Sequence, residues 1–241
     1  MRRPVVDRIV TYAAAVLVAI WIIVPFYLLA LAAFTAQANV SDYPKAFVPS
    51  SLSTASLAAF ADSLGVIPAT VNSLAVALVA IVLALVAGVP LGYVMSRSVP
   101  PAGHGLALVG RVFPIATLAV PLAGLFARIG LYDSFVSVGI VHAAIALPFV
   151  GLVVAARASN GSPRAIVPAI PAAAGLTFLI SWNEVFAASV LTLQMRTLPA
   201  QLFASLATSP LAFKFAGGLV LIVPAVVVFV LIRRSIARVW S

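Results

Sequence analysis

Long uncharged apolar stretches, separated by short polar or basic segments, dominate this chain. From Ile9 to Ser41 no residue is charged, and Ile9 to Phe34 reads as a first membrane span. Asp62 and Arg97 bracket a second, Ala69 to Met95, and Asp133 and Arg157 bracket another, Phe135 to Ala156. The run that begins after Arg164 continues past Glu184 to Leu191, and the last extends from Ala212 to Ile232. A less tidy run, Gly103 to Phe126, is interrupted by Arg111. A helix needs roughly 20 mainly apolar residues to cross a bilayer. The pattern therefore predicts an all-α integral membrane protein with six transmembrane helices over 9–34, 69–95, 103–126, 135–156, 165–191 and 212–232. Residues 1–241 form a single transmembrane domain on this reading.

The connections differ in kind. The loop over 35–70 contains YPKAFVPSS, whose prolines forbid regular helix, and then Leu52 to Leu64, whose apolar spacing fits a short helix in the membrane interface. RASNGSPR, Arg157 to Arg164, is made of turn formers. Prolines 90, 114, 121, 148, 168 and 171 lie within or beside spans. Such prolines free backbone carbonyls that lipid cannot satisfy, which suits helices packed around a cavity.

Composition excludes a soluble domain: 64% of the residues are apolar and 8% charged, too few charges to cover a water-exposed surface. The net charge of +9 does not point to nucleic acid, because the basic residues sit singly between apolar runs. They set orientation instead. With both termini in the cytoplasm, Arg2, Arg3, Arg8, Arg97, Arg157, Arg164, Arg233, Arg234 and Arg238 fall at cytoplasmic ends, against Lys45, Arg128, Arg196 and Lys214 outside. The opening MRRPVVDR and the AQA at 36–38 mimic a secretory signal. The apolar run is longer than the about 7–15 residues of a signal core, so an uncleaved first span is expected. The absence of cysteine excludes disulfides and thiolate metal sites.

Little in the chain suggests catalysis. The histidines are His104 and His142 and the acids are Asp7, Asp42, Asp62, Asp133 and Glu184. None has metal-ligand spacing, no phosphate-cradling glycine loop occurs, and no serine pairs with a base and an orienter on sequence grounds. The polar groups inside spans, Arg111, Glu184, Asn183, Asn72 and His142, carry what chemistry there is. A charge at that depth costs at least about 2.5–3.5 kcal/mol on insertion scales and so faces a packed interior or a water-filled path. For Glu184 three roles stand: a carboxylate that fixes helix packing, the lining of a substrate path, or a proton relay. Arg111 either lines the path, snorkels, or pairs with a carbonyl. His142, on an otherwise apolar run, reads as a packing residue.

The order of segments carries a resemblance. WIIVPFYLLALAAF, FVPSSLS, TVNSLAVALVAIVLALVAGVPLGYVMSR, FPIATLAVPLAGLFARIGLYDSF, ALPF, TFLISWNEVFAASVLT and MRTLPAQL succeed one another along nearly the whole chain. In this order they resemble the inner-membrane permease of a carbohydrate ABC importer, the maltose-type binding-protein-dependent transport family. The resemblance implies the type I ABC importer permease fold, in a bacterial inner membrane. It implies as partners a second homologous permease, two ATPase subunits and an extracytoplasmic sugar-binding protein, with ATP and Mg held by the ATPases and no cofactor on this chain. The family's tryptophan-asparagine-acid motif matches Trp182, Asn183 and Glu184, which would line the sugar path with Arg111. The asparagine-serine opening of the second span matches Asn72 and Ser73.

One departure accompanies the resemblance. The family places an EAA…G coupling helix, which docks into the ATPase, between the fourth and fifth spans. Here that loop is much shorter: only Val154 to Ser162 remains and the signature glutamate is absent. Arg157, Asn160, Gly161 and Arg164 are the residues left to couple, Asn160-Gly161 standing where the family has Asp-Gly. The resemblance thus implies a permease subunit working by alternating access. Against it stand an uncoupled membrane scaffold or assembly subunit of the same ancestry, and a proton-coupled secondary transporter using Glu184.

Overall fold

The computed structural model describes residues 3–44, 47–48, 51–63, 65–100, 114–158 and 166–240. Among the described residues all regular elements are helical: α1 (Arg3–Ala33), α2 (Ala55–Ala61), α3 (Val66–Ser98), α4 (Ile115–Arg128), α5 (Phe135–Ala158), α6 (Ala169–Asn183), α7 (Phe186–Leu191), α8 (Leu198–Ser205) and α9 (Leu211–Trp240). Four segments have the length and apolarity to cross a membrane, Asp7–Ala33, Val66–Ser98, Phe135–Ala158 and Leu211–Ala237. They match four of the runs read from the sequence, and the second and the last run past the expected bounds by about a turn.

The other two predicted spans differ. Of the run over 103–126, residues 103–113 lie outside the described part, Arg111 among them. Its remainder belongs to α4, which starts after the extended Pro114. The run over 165–191 is not one helix. It is α6 and α7, separated at Glu184, whose φ of −80° and ψ of 125° are extended. Apolar periodicity continues across this break, so hydropathy alone cannot register it. The helix expected over 52–64 is the shorter α2. Asn160, Gly161 and Arg164 lie outside the described residues, whereas Arg157 stands in the last turn of α5.

The chain divides into two compact units. The first comprises 1–63 and 208–220. In it the Gln37 side-chain oxygen accepts a hydrogen bond from the Ala212 backbone N–H at 3.0 Å, and Phe60 meets Phe213 edge-on with ring centroids 5.0 Å apart. Along residues 7–28 of α1 the apolar side chains are exposed, Trp21 being 83% exposed. Such a surface requires hydrocarbon or another helix around it.

The second unit comprises 64–207 and 221–241, and its centre is the α3–α5 pair. Ala77, Ala80, Ala84, Gly88 and Gly92 recur along one buried stripe of α3. Of these, Ala80 and Ala84 pack with Ala143, Ala146, Val150 and Val154 of α5, while Gly88 faces Val150 and Gly92 faces Gly151 and Val154. Small residues let two helix backbones approach closely, and in lipid this packing replaces the hydrophobic drive that holds helices together in water. The approach is tight: a Cβ at Gly92 would stand 2.5 Å from the Gly151 carbonyl oxygen, and one at Gly88 equally near the Val150 side chain. At the far end of α4, Gly130 (φ 72°) and Asp133 (φ 56°) take left-handed conformations that turn the chain into α5, a backbone region that Gly and Asp adopt most readily.

Candidate functional site

Breaking a helix leaves the first backbone N–H groups of its second part without intrahelical partners. The sequence supplies the remedy at the break itself. Glu184 Oε1 accepts from the N–H groups of Phe186 and Ala187 at 2.9 and 3.1 Å, and Oε2 from those of Ala187 and Ala188 at 3.0 and 3.3 Å. On its other side the carboxylate meets α5: His142 Nε2 lies 3.1 Å from Oε2. His142 Nδ1 in turn lies 2.9 Å from Ser181 Oγ. His142 is fully buried, and the Glu184 side chain is 10% exposed.

The break borders a groove of about 650 Å³ between α4, α5 and the α6–α7 junction. Its walls are mainly apolar, including Pro114, Leu118, Phe126, Ile145, Pro148 and Phe186. Polar character comes from Asn183 and Glu184. Asn183 is exposed and donates through Nδ2 to the Leu179 carbonyl of its own helix at 2.8 Å, so its amide oxygen keeps its capacity to accept. The Glu184 oxygens already receive four backbone contacts and the imidazole, so the carboxylate shapes the wall more than it offers itself to a ligand.

The remaining residues singled out from the sequence sit elsewhere. Trp182 does not border this groove. It is 2% exposed, its indole N–H donates to the Leu221 carbonyl at 2.9 Å, and its ring stacks on Phe178 at 5.4 Å. Asn72 and Ser73 also act inward: Asn72 Nδ2 donates to the Arg196 carbonyl at 3.1 Å, and Ser73 Oγ accepts from the Leu198 N–H at 2.8 Å. Both secure the segment that enters α8.

Sequence reasoning passes over Ser181, reads His142 as mere packing and finds no serine with a base and an orienter. The structure places Ser181, His142 and Glu184 in one hydrogen-bonded row. This is not a nucleophile poised for attack, because Ser181 is 4% exposed and His142 fully buried, so only the glutamate end reaches the groove. The available signal is the cost of an imidazole inside an apolar run, which demands a partner on another helix. Among the described residues no group of three His, Asp or Glu side chains is placed to hold a metal ion.

A second carboxylate does similar work at the turn before α5. Asp133 Oδ1 accepts from the N–H groups of Leu193, Gln194 and Met195 at 2.8, 3.0 and 3.0 Å, and the Asp133 N–H donates to the Leu191 carbonyl at 3.0 Å. Partial burial pushes this carboxyl up, but the Met195, Leu193 and Gln194 N–H groups and the Arg196 charge outweigh it and hold the acid below its ordinary 3.8.

No protein-family model matches the chain. It is 29% identical over 197 residues to a putative ABC transporter permease protein, ORF1, of Streptomyces antibioticus, covering 70% of this chain and 86% of that protein. To the trehalose transport system permease protein SugB of Mycobacterium tuberculosis (strain CDC 1551 / Oshkosh) it is 28% identical over 205 residues, 72% of this chain and 75% of that protein. Among solved structures it matches a chain of a bacterial ABC transporter involved in the import of the acidic polysaccharide alginate. The TM-score is 0.68 with 16% identity, over 97% of this chain and 98% of that one. The two relatives bear out the resemblance to a sugar ABC transporter permease, and the solved structure shows the shared fold.

Proposed function

We propose that this chain, a relative of sugar ABC transporter permeases, is one of two permease subunits forming the passage of an ATP-driven sugar importer. The observation that carries this reading is the groove at the α6–α7 break, with Asn183 on its rim, in a chain whose relatives are permeases. The chemistry suits a carbohydrate: the exposed Phe186 ring matches the CH face of a sugar and the Asn183 amide oxygen matches a hydroxyl. Both termini lie in the cytoplasm on this reading, and α6–α7 crosses the bacterial inner membrane as one broken span. Partner ATPases supply the ATP and Mg chemistry. Their closure rocks the two permeases between inward-facing and outward-facing states, while a binding protein delivers sugar from outside.

The test is purification with the products of neighbouring reading frames, followed by ATPase assays in lipid nanodiscs with trehalose, maltose and glycerol phosphate as probes. Hydrolysis stimulated by a sugar-loaded binding protein is expected. A chain that is abundant in the membrane yet carries no ATPase supports the second reading, an uncoupled scaffold, which the short segment from Arg157 to Arg164 favours. The proximity of His142 to Glu184 gives the proton-coupled reading its own check. Uptake that needs a proton gradient, not ATP, and is abolished by Glu184→Gln would establish it.

A further inference from the structure

We infer that His142 and Ser181 are positioning residues for the groove: they hold the Glu184 carboxylate over the break and thereby fix where α7 restarts. Three observations converge on this. Glu184 faces two ways, accepting N–H groups of α7 on one side and His142 of α5 on the other. A carboxylate only accepts, so Nε2 carries the proton of that bond; in the neutral ring Nδ1 then accepts from the Ser181 hydroxyl. Ser181 belongs to the last turn of α6, so the row ties α6, α5 and the start of α7 at a single point. Remove the imidazole and the carboxylate still reaches the N–H groups of 186–188, but nothing fixes it against α5. The wall carrying Asn183 and Phe186 then shifts on its two flanks. This inference rests on reading the groove as part of the passage, but its readout does not depend on transport.

Amide hydrogen exchange over 184–191, with the protein in nanodiscs, measures how firmly the break is held. His142→Leu should speed exchange at Ala187 and Ala188 by roughly tenfold, the equivalent of one charge-assisted hydrogen bond. His142→Gln, whose amide can still donate to the carboxylate, should restore most of the protection, and Ser181→Ala should shift exchange in the same direction as Leu but less. In an E184Q background His142→Leu should add little, because the bond it breaks is already weakened. Packing alone predicts the reverse order, with the apolar, space-filling leucine tolerated better than glutamine. That order, or exchange in His142→Leu equal to that of the unaltered protein, overturns the inference. Should His142→Leu not insert, Ser181→Ala decides, and unaltered exchange in that variant overturns it equally. Faster exchange in His142→Leu with sugar uptake unchanged would instead count against the passage reading and leave the positioning role standing.

Discussion

Two of the five acidic residues do nearly the same work in different surroundings. Glu184 and Asp133 each gather three successive backbone N–H groups, 186–188 in one case and 193–195 in the other. Asp133 does so at a turn, half-buried beside Arg196, with its own backbone in the left-handed region. Glu184 does so within an apolar run, braced by a fully buried histidine. The difference lies in what water can repair. At the turn, solvent can take over N–H groups that lose their carboxylate. At the break water reaches only the groove side of the carboxylate, and the fully buried partner from α5 makes the break depend on side chains far away in sequence.

The more buried of the two carboxylates should show the largest effect when removed. Glu184→Ala orphans the 186–188 N–H groups and His142 together, at about 1–3 kcal/mol for each buried group left unpaired. Thermal unfolding in detergent, with membrane abundance as a control, reads this. Asp133→Ala should cost about 1–2 kcal/mol, because solvent screens and replaces part of what is lost. A smaller destabilisation for Glu184→Ala than for Asp133→Ala would undo the contrast. The pH dependence sharpens it further. Since the Asp133 acid is held below its ordinary value, its contribution is complete at neutral pH and is lost as pH falls through the lowered value. The unaltered protein should therefore lose stability on acidification below about pH 4, and Asp133→Asn should lose less over the same interval. The smallest effects belong to Asn72→Ala and Ser73→Ala. Each removes one bond to the segment entering α8, worth about 0.6 kcal/mol between helices in a membrane setting. Limited proteolysis at 192–198 should detect them even if melting does not.

Legibility in the sequence tracks how local each feature is. The α3 and α5 spans are legible because each is a continuous apolar run, and their ends lie within three residues of the expected bounds. The stripe of small residues on α3 is equally present in the sequence, although its partner face on α5 becomes visible only in three dimensions. The break at Glu184 is hidden because apolar residues continue on both sides of it. His142 reads as a satisfied packing residue, and it is satisfied, but by Ser181 and Glu184, 39 and 42 positions away. Asp133 serves in the sequence only to mark the end of a span; its hold on 193–195 is again a long-range contact. Trp182, Asn72 and Ser73 are picked out by motif, and a motif does not tell a wall from a brace. All three turn their polar groups to backbone carbonyls or N–H groups of the protein itself.

Because the chain contains no cysteine, Asn183→Cys gives a single reactive thiol on the rim of the groove. Complete reaction of that thiol with N-ethylmaleimide, followed by sugar uptake in the assembled transporter, tests most directly whether the groove at the helix break lies on the passage. Uptake that survives the cysteine substitution but collapses on modification, with a bound sugar slowing the reaction, is the predicted result. Full uptake by the completely modified protein would contradict it.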